Sequence, residues 1–150
     1  MKIVITSGGF DPIHDGHIEY LNKAKRLGDF HICILNNDNF LMKKKGYCFF
    51  NIDQRYKIMK ELKCIDEIVI SIDEDMTVNK TIKFIYDKYN GKENEFIFAK
   101  GGDRYKYEIP EAKICKELGI KIVDGLGNKI ESSSNLVEKV RKGVLRDAIV

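Results

Sequence analysis

Short apolar runs alternate with amphipathic stretches along the whole chain. The runs at 2–6, 30–35, 67–72, 95–99 and 121–123 are rich in β-branched and aromatic residues, which predicts five buried strands. Helical stretches lie between and after the strands. The first stops at Gly28, and the second starts near Asp53 and is marked by apolar residues through Ile65. The third is capped by Thr77, the fourth runs from Pro110 to Gly119, and the last covers 134–142. Strict alternation predicts one α/β domain over residues 1–150, a Rossmann-like three-layer sandwich with a five-stranded parallel sheet.

Composition narrows the class of protein. The chain has 150 residues, 43% hydrophobic and 33% charged, as expected for a soluble globular domain. Its net charge of +3 and its scattered lysines do not indicate a nucleic-acid partner, and no apolar run is long enough for a membrane helix. The start "MKIVIT" is predicted to be a strand and not a signal peptide, and the four cysteines show no CxxC spacing. We therefore expect a cytoplasmic protein with reduced thiols, in which Cys33, Cys115 and His31 are structural.

Glycine-rich and polar segments follow the predicted strands, where α/β sheets bind ligands. They are "SGGFD", "NND" with three lysines, "SIDED", "KGGDR", and "GLGN" with "ESSS". Glycines let backbone N–H groups approach an anion closely, and helix N-termini favour negative charge. The pattern predicts a phosphate site at this edge of the sheet. We expect residues 71–75 to be a solvated acidic loop rather than a metal site, and residues 43–51 to be a mobile loop.

The most specific motif is "GGFDPIHDGH", residues 8–17, which holds two of the three histidines. It resembles the HxGH signature of the cytidylyltransferase-like nucleotidyltransferases. The resemblance continues through "AKRLGD" (24–29), "NND" (36–38), Lys45-Gly46, "DQR" (53–55) and "IDEIV" (65–69), which have counterparts in glycerol-3-phosphate cytidylyltransferases and in the adenylyltransferase of ADP-heptose synthesis. "KGGD" (100–103) and "SSSN" (132–135) resemble late motifs of the heptose branch.

Three departures bear on the choice of nucleotide. The Arg-Thr signature of the glycerol-3-phosphate enzymes is missing from "GNKIESSS", Lys63 stands where they carry an arginine, and Gly9 stands where they carry a threonine. These differences favour ATP slightly over CTP. A synthetase with the same histidine motif would need an anticodon-binding domain, for which 150 residues leave no room.

The resemblance implies that a phosphate on an acceptor attacks the α-phosphorus of a nucleoside triphosphate, with Mg²⁺ carried mainly by the triphosphate and no metal ligands from the protein. His14 and His17 would donate to the phosphate oxygens, Lys45 would neutralise the β- and γ-phosphates, and Arg55 would clamp a phosphate through two N–H groups. The nucleotide-binding set it implies is Ser7, Gly8, Gly9, Phe10, Asp11, Gly16, Lys44, Lys100, Gly101, Gly102, Asp103, Ser132, Ser133 and Ser134. Within that set Gly16 keeps the turn tight, and Asp11 is expected to act structurally or through water.

Several alternatives stay open at this point. Arg104 and Tyr105 either grip the acceptor or form a polar surface turn, and "ESSS" could simply cap a helix. The acceptor is a phosphorylated small molecule, a sugar phosphate or a phosphorylated alcohol or amine such as glycerol 3-phosphate. A catalytically decayed nucleotide-binding regulator is the rival from another class, and a flavodoxin-like carrier would not explain the paired histidines. The resemblance also implies a homodimer.

Overall fold

The structure, a computed structural model, describes residues 1–102 and 109–127. Its strands are β1 (Lys2–Gly8), β2 (Phe30–Leu35), β3 (Glu67–Ile70), β4 (Glu95–Ala99) and β5 (Lys121–Val123). Its helices are α1 (Asp15–Lys25), α2 (Asp38–Lys45), α3 (Ile52–Lys60), α4 (Asn79–Lys88) and α5 (Ala112–Leu118). The helix predicted over 134–142 lies outside the described residues.

The five strands form one parallel sheet in the order β3-β2-β1-β4-β5, which confirms the predicted architecture. From β1 the chain builds outward to β2 and β3 on one side, and then crosses to β4 and β5 on the other. The strand order therefore reverses between β1 and β4. In open α/β sheets a crevice opens at that point, beyond the carboxyl ends of the strands.

Helices cover both faces of the sheet, and alternation along β1 separates two cores. Ile3 and Ile5 pack in a cluster that also holds Ile82 of α4 and Cys115 of α5. On the opposite face, a second cluster holds Leu21 of α1 and Met59 of α3, while Val4 packs with Ala24 of α1 in a smaller group. The histidine motif lies at the start of α1 and so belongs to the α1–α3 face. None of the helices in the described ranges is long and apolar enough to cross a membrane.

Helix α2 was not predicted, and it changes the setting of the lysines. The Asn37 side chain accepts a hydrogen bond from the Phe40 N–H and caps the helix, which ends at Gly46 in the left-handed region with φ of 83°. Lys43–Lys45 therefore form the last turn of α2. We had expected these residues to belong to a mobile loop over 43–51, and that expectation is wrong for the three lysines. Leu41 is the one buried residue of this helix, so the sequence has no apolar stripe from which to predict it.

Two further expectations need correction. Helix α3 ends at Lys60, short of the apolar stretch that had suggested a continuation to Ile65. The acidic segment after β3 is not simply solvated, because Asp73 is buried and accepts hydrogen bonds from the N–H groups of Lys80 and Thr81. That carboxylate serves the first turn of α4 together with the predicted cap Thr77, whose hydroxyl accepts a hydrogen bond from the Asn79 N–H at 3.2 Å.

Candidate active site

His14 and His17 hold each other in place at the start of α1. His14 is the N-cap, and its Nδ1 accepts a hydrogen bond from the Gly16 N–H at 3.1 Å. His17 is the third helical residue, and its Nδ1 accepts from the His14 N–H at 3.2 Å. This is a capping box built from two imidazoles instead of a hydroxyl and a carboxylate. The glycine between them offers its N–H to the cap, which is how the HxGH spacing produces the geometry.

These hydrogen bonds also assign the tautomers. A ring nitrogen that accepts a hydrogen bond carries no proton, so each neutral imidazole carries its proton on Nε2. The two rings are stacked, with centroids 3.7 Å apart and 24° between their planes. Phe10 meets the His17 ring edge-on, with centroids 5.0 Å apart. The turn therefore fixes two imidazoles side by side, each with Nε2 as its N–H donor.

The glycines before the histidines permit close packing. A Cβ on Gly8 would lie 2.8 Å from the Phe10 ring, and one on Gly9 would lie 2.7 Å from Cδ2 of Leu41. Phe10 itself is 5% exposed and has φ of 51°, an uncommon conformation for a residue with a side chain. The loop is thus held tightly between β1 and α2, which fixes the approach to the histidines.

Asp11 connects this loop to the segment after α2. Its buried carboxylate accepts hydrogen bonds from the N–H groups of Phe49 and Phe50, both at 2.6 Å. Its backbone carbonyl accepts from Nζ of Lys45 at 3.2 Å. Burial lowers the pKa of Lys45, although the Asp11 carboxylate opposes the shift. The structure therefore brings Lys45 beside the histidine loop, as the sequence predicted, while exposed Lys44 has its Nζ 5.8 Å from the centre of the Phe40 ring.

Arg55 is fully buried, and its guanidinium is bonded to protein oxygens. Nε donates to the Phe50 carbonyl, Nη1 donates to the carbonyls of Gly9 and Asn36, and Nη2 donates to the Asp38 carboxylate at 2.7 Å. Four of the five N–H groups of an arginine are thereby used. This geometry does not offer the fork that the expected two-pronged phosphate contact needs. It ties together the loops that follow β1 and β2.

Tyr20 is a residue that sequence reasoning missed. Its hydroxyl donates to the carbonyl of Ala99, the last residue of β4, at 2.6 Å and accepts from the N–H of Ser7, near the end of β1, at 3.4 Å. It thus bridges the two strands at the point where the strand order reverses. Burial raises the pKa of this phenol well above its usual range. Tyr20 lies three residues after His17, but apolar periodicity gave no reason to separate it from the core.

The loops after β4 and β5 meet at the same place. The N–H of Gly127 donates to the Gly101 carbonyl, and the N–H of Gly125 donates to the Gly102 carbonyl. A Cβ on Gly101 or on Gly127 would lie 3.4 Å from Tyr20. Ser7 and the Gly101–Gly102 pair, which the sequence assigned to nucleotide binding, thus lie around Tyr20 at this edge of the sheet. Lys100, from the same predicted set, has its Nζ 5.4 Å from the centre of the Phe98 ring. The other predicted contacts lie outside the described residues: Asp103, Arg104, Tyr105, Ser132, Ser133 and Ser134.

Cys33, Cys115 and His31, which we expected to be structural, are all buried. Cys33 and Cys115 are buried, and burial raises the pKa of each thiol to about 12. His31 is buried, its Nδ1–H donates to the Cys64 carbonyl, and its Nε2 bonds with the Thr6 hydroxyl at 2.8 Å. Residues 1–102 and 109–127 contain no group of three His, Cys, Asp or Glu side chains arranged to hold a metal ion.

Comparison with known proteins places this geometry in a family. The model of the cytidylyltransferase-like family matches residues 5–139. The bifunctional protein HldE of Geotalea uraniireducens is 31% identical over 156 residues, which cover 97% of this chain and 28% of that protein. The FAD synthase of Picrophilus torridus is 29% identical over 144 residues, which cover 93% of this chain and 96% of that one. The chain thus spans under a third of the HldE protein that it matches.

Solved structures agree with the fold. A lipopolysaccharide core biosynthesis protein from Thermoplasma volcanium has a TM-score of 0.61 at 26% identity, covering 81% of this chain and 93% of its own. A bifunctional NMN adenylyltransferase/ADP ribose pyrophosphatase from Francisella tularensis has a TM-score of 0.68 at 15% identity, covering 95% of this chain and 42% of its own, which bears on the fold alone. With the family match over residues 5–139, the chain belongs to the cytidylyltransferase-like family of nucleotidyltransferases.

Proposed function

We propose that this chain transfers a nucleoside monophosphate, AMP in preference to CMP, from a triphosphate to a phosphorylated small molecule. The observation that carries the proposal is the histidine capping box at the start of α1. It uses Nδ1 of both rings for structure and leaves Nε2 of both as the N–H position, at the carboxyl end of the central strand. Fixed donors of this kind stabilise charge that develops on phosphate oxygens.

The reaction needs no covalent intermediate on the protein. A phosphate oxygen of the acceptor forms a bond to the α-phosphorus of the triphosphate, the bond from that phosphorus to the bridging oxygen breaks, and pyrophosphate leaves with the electron pair. Catalysis then consists of alignment and charge stabilisation. His14 and His17 supply the donors, and Lys45 supplies a positive charge for the departing phosphates.

Arg55 acts in this proposal as a positioning residue. Its Nη1 links the Gly9 carbonyl with the Asn36 carbonyl, so the glycine loop and the end of β2 move as one unit. Its Nε reaches the Phe50 carbonyl, next to the N–H groups that Asp11 holds. The lysine-bearing helix and the histidine turn thereby keep a fixed separation, which alignment catalysis requires.

Magnesium fits the site as an ion carried by the nucleotide. The described residues offer no grouped carboxylates near the histidines to cage it, and Mg²⁺ commonly binds through substrate phosphates while keeping several waters. When bound, the ion would neutralise phosphate charge. In this proposal Lys45 would share that task.

Two features of the sequence support AMP over CMP as the transferred nucleotide. "KGGD" and "SSSN" resemble the heptose branch, and the Arg-Thr signature of the glycerol-3-phosphate enzymes is missing. The similarity to HldE and to FAD synthase also favours adenylyl transfer. The acceptor that best fits the heptose-like motifs is a sugar phosphate.

The test is a screen for pyrophosphate release. ATP, CTP, GTP and UTP are each combined with Mg²⁺ and a panel of sugar phosphates and phosphorylated alcohols, and the His17→Gln variant serves as the control for contaminating activity. We expect release with ATP and at least one sugar phosphate. A strong preference for CTP with glycerol 3-phosphate would favour the cytidylyltransferase alternative. Thermal stabilisation by ATP with no pyrophosphate from any acceptor would favour a decayed regulator.

We also propose that the protein is a homodimer, as the family resemblance implies. Light scattering should give about twice the chain mass of 17.3 kDa. A mass equal to that of one chain at assay concentration would contradict it.

A further inference from the structure

The hydroxyl of Tyr20 stands where β1 and β4 would otherwise bond to each other. The two strands pair as far as Ile5 and Phe98. In the parallel register of this pair, the next hydrogen bond of the ladder would run from the Ser7 N–H to the Ala99 carbonyl. Instead, the Tyr20 hydroxyl accepts from the Ser7 N–H at 3.4 Å and donates to the Ala99 carbonyl at 2.6 Å. A side chain of α1 thus takes the place of a bond of the sheet.

This insertion holds the carboxyl ends of β1 and β4 apart. A direct bond would bring nitrogen and oxygen to about 2.9 Å, whereas here two hydrogen bonds in succession lie between them. On its other side β1 stays paired with β2 as far as Gly8 and Leu35, so the early end of pairing is confined to β1 and β4. The strand order reverses between these two strands, which is where a crevice opens. The Tyr20 hydroxyl is therefore a spacer in that crevice.

Tyr20 also contacts segments on both sides of the crevice. It lies one helical turn after His17 on α1. A Cβ on Gly127 would lie 3.4 Å from the Tyr20 Cβ and 3.7 Å from the Gly16 carbonyl oxygen. A Cβ on Gly101 would lie 3.4 Å from Cδ1 of the Tyr20 ring. One side chain thereby connects the histidine turn with the loops that follow β4 and β5.

The hydroxyl of Tyr20 is bonded to the protein backbone and not aimed at solvent. The residue is 7% exposed, and its two backbone partners belong to different strands. Burial raises the pKa of the phenol well above its usual range, so the hydroxyl keeps the proton that it donates to Ala99. These properties suit a group that fixes a distance and do not suit an acid or a base.

We propose that Tyr20 is a positioning residue for nucleotidyl transfer, whose hydroxyl holds β1 and β4 apart and so fixes the histidine turn relative to the loops after β4 and β5. The inference rests on the proposed function, in which catalysis consists of alignment and charge stabilisation. Without the hydroxyl, the Ser7 N–H and the Ala99 carbonyl pair with each other, since buried polar groups rarely stay unpaired. The crevice then narrows, and a misplacement of about 1 Å can slow a reaction about 10²-fold.

The test is Tyr20→Phe, which removes the hydroxyl and keeps the ring. Tyr89→Phe is the matched control, because the Tyr89 hydroxyl also makes a 2.6 Å hydrogen bond, to the Glu67 carboxylate at the amino end of β3. We expect kcat for pyrophosphate release to fall about 10²-fold in Tyr20→Phe, with a smaller change in the KM for ATP, and to keep its wild-type value in Tyr89→Phe.

The melting temperatures separate positioning from general stability. Because the two freed backbone groups pair with each other, the melting temperature of Tyr20→Phe should fall no further than that of Tyr89→Phe. Wild-type kcat in Tyr20→Phe, or a loss of kcat that is matched by a loss of folded protein, would overturn the inference.

A measurement on the free proteins tests the spacer directly. An NMR scalar coupling through a hydrogen bond, between the Ser7 amide nitrogen and the Ala99 carbonyl carbon, reports a direct bond between these groups. We expect the coupling in Tyr20→Phe and not in the wild type or in Tyr89→Phe. Its absence from Tyr20→Phe would overturn the inference. If the wild type releases no pyrophosphate, the proposed transfer is wrong, whereas this coupling still decides whether the hydroxyl keeps the strands apart.

Discussion

The rings of His14 and His17 lie stacked 3.7 Å apart, and each uses its Nδ1 to fix the turn that carries the other. In the function proposed for this chain, structural support and chemistry thus fall on different nitrogens of the same imidazoles. A histidine that braces a turn and a histidine that stabilises a transition state are usually competing interpretations. In the proposed reaction, the first role would orient the Nε2–H groups for the second.

Lys45 should contribute to triphosphate affinity, whereas its neighbour Lys43 should not. Nζ of Lys43 donates to the Glu74 carbonyl, away from the histidine loop, while Nζ of Lys45 lies against Asp11. Lys45→Met should weaken ATP binding by about tenfold to a hundredfold, as expected for a charge-assisted hydrogen bond, and Lys43→Met should leave it unchanged. Isothermal titration with Mg-ATP measures both.

The melting temperature of Lys45→Met is a second test of the environment of Lys45. Because burial lowers the pKa of Lys45, its charge is held at a cost to folding. The melting temperature of free Lys45→Met should therefore be no lower than that of Lys43→Met. Parallel losses of ATP affinity in both variants would instead indicate a diffuse charge effect.

Arg55→Lys should act through stability. Lysine cannot reproduce the four hydrogen bonds of the buried guanidinium, and Asp38 would lose its partner. We expect the free energy of unfolding to fall by about 3 kcal/mol in urea titrations. Lys57→Met, at an exposed position of the same helix, is the control. If Arg55→Lys instead loses ATP affinity with unchanged stability, Arg55 contacts a phosphate directly, as the sequence suggested.

His31 should make the protein less stable at mildly acid pH. Burial lowers the pKa of His31 below its ordinary value of 6.5, so the unfolded chain takes up a proton that the folded chain refuses. Stability is therefore complete above pH 6.5 and falls as the pH drops, by up to about 1.4 kcal/mol per pH unit from this group. Urea titrations of the wild type and His31→Gln at pH 7.5 and 5.5 should show a smaller loss in the variant. An equal loss in both would exclude His31 as the cause.

The sequence predicted the elements that are marked by apolar patterns and missed the one that is marked only by its caps. All five strands follow from apolar β-branched runs, and their alternation with helices determines a parallel sheet. Helix α2 was not predicted because it buries a single residue and is defined by its caps, Asn37 and Gly46. Such caps are short-range polar signals that also occur in turns.

The site shows the same division. The spacing of His14 and His17 was enough to predict that the two side chains lie together at the start of α1. The role of Arg55 could not be predicted, because three of its four partners are the backbone carbonyls of residues 9, 36 and 50, which no side-chain motif records. Tyr20 was missed for a related reason: its significance lies in the hydrogen bonds that its hydroxyl makes with Ala99 and Ser7, which are distant in the sequence.

The most direct test of the central claim measures pyrophosphate release and melting temperature on the same preparations of His14→Asn and His17→Gln. Asparagine is a good N-cap and glutamine suits the third position of a capping box, so both variants can keep the turn while losing the imidazole. We expect kcat to fall by about 10²–10³-fold, with smaller changes in ATP affinity and in melting temperature. Wild-type turnover in either variant, or lost activity matched by lost folding, would contradict it.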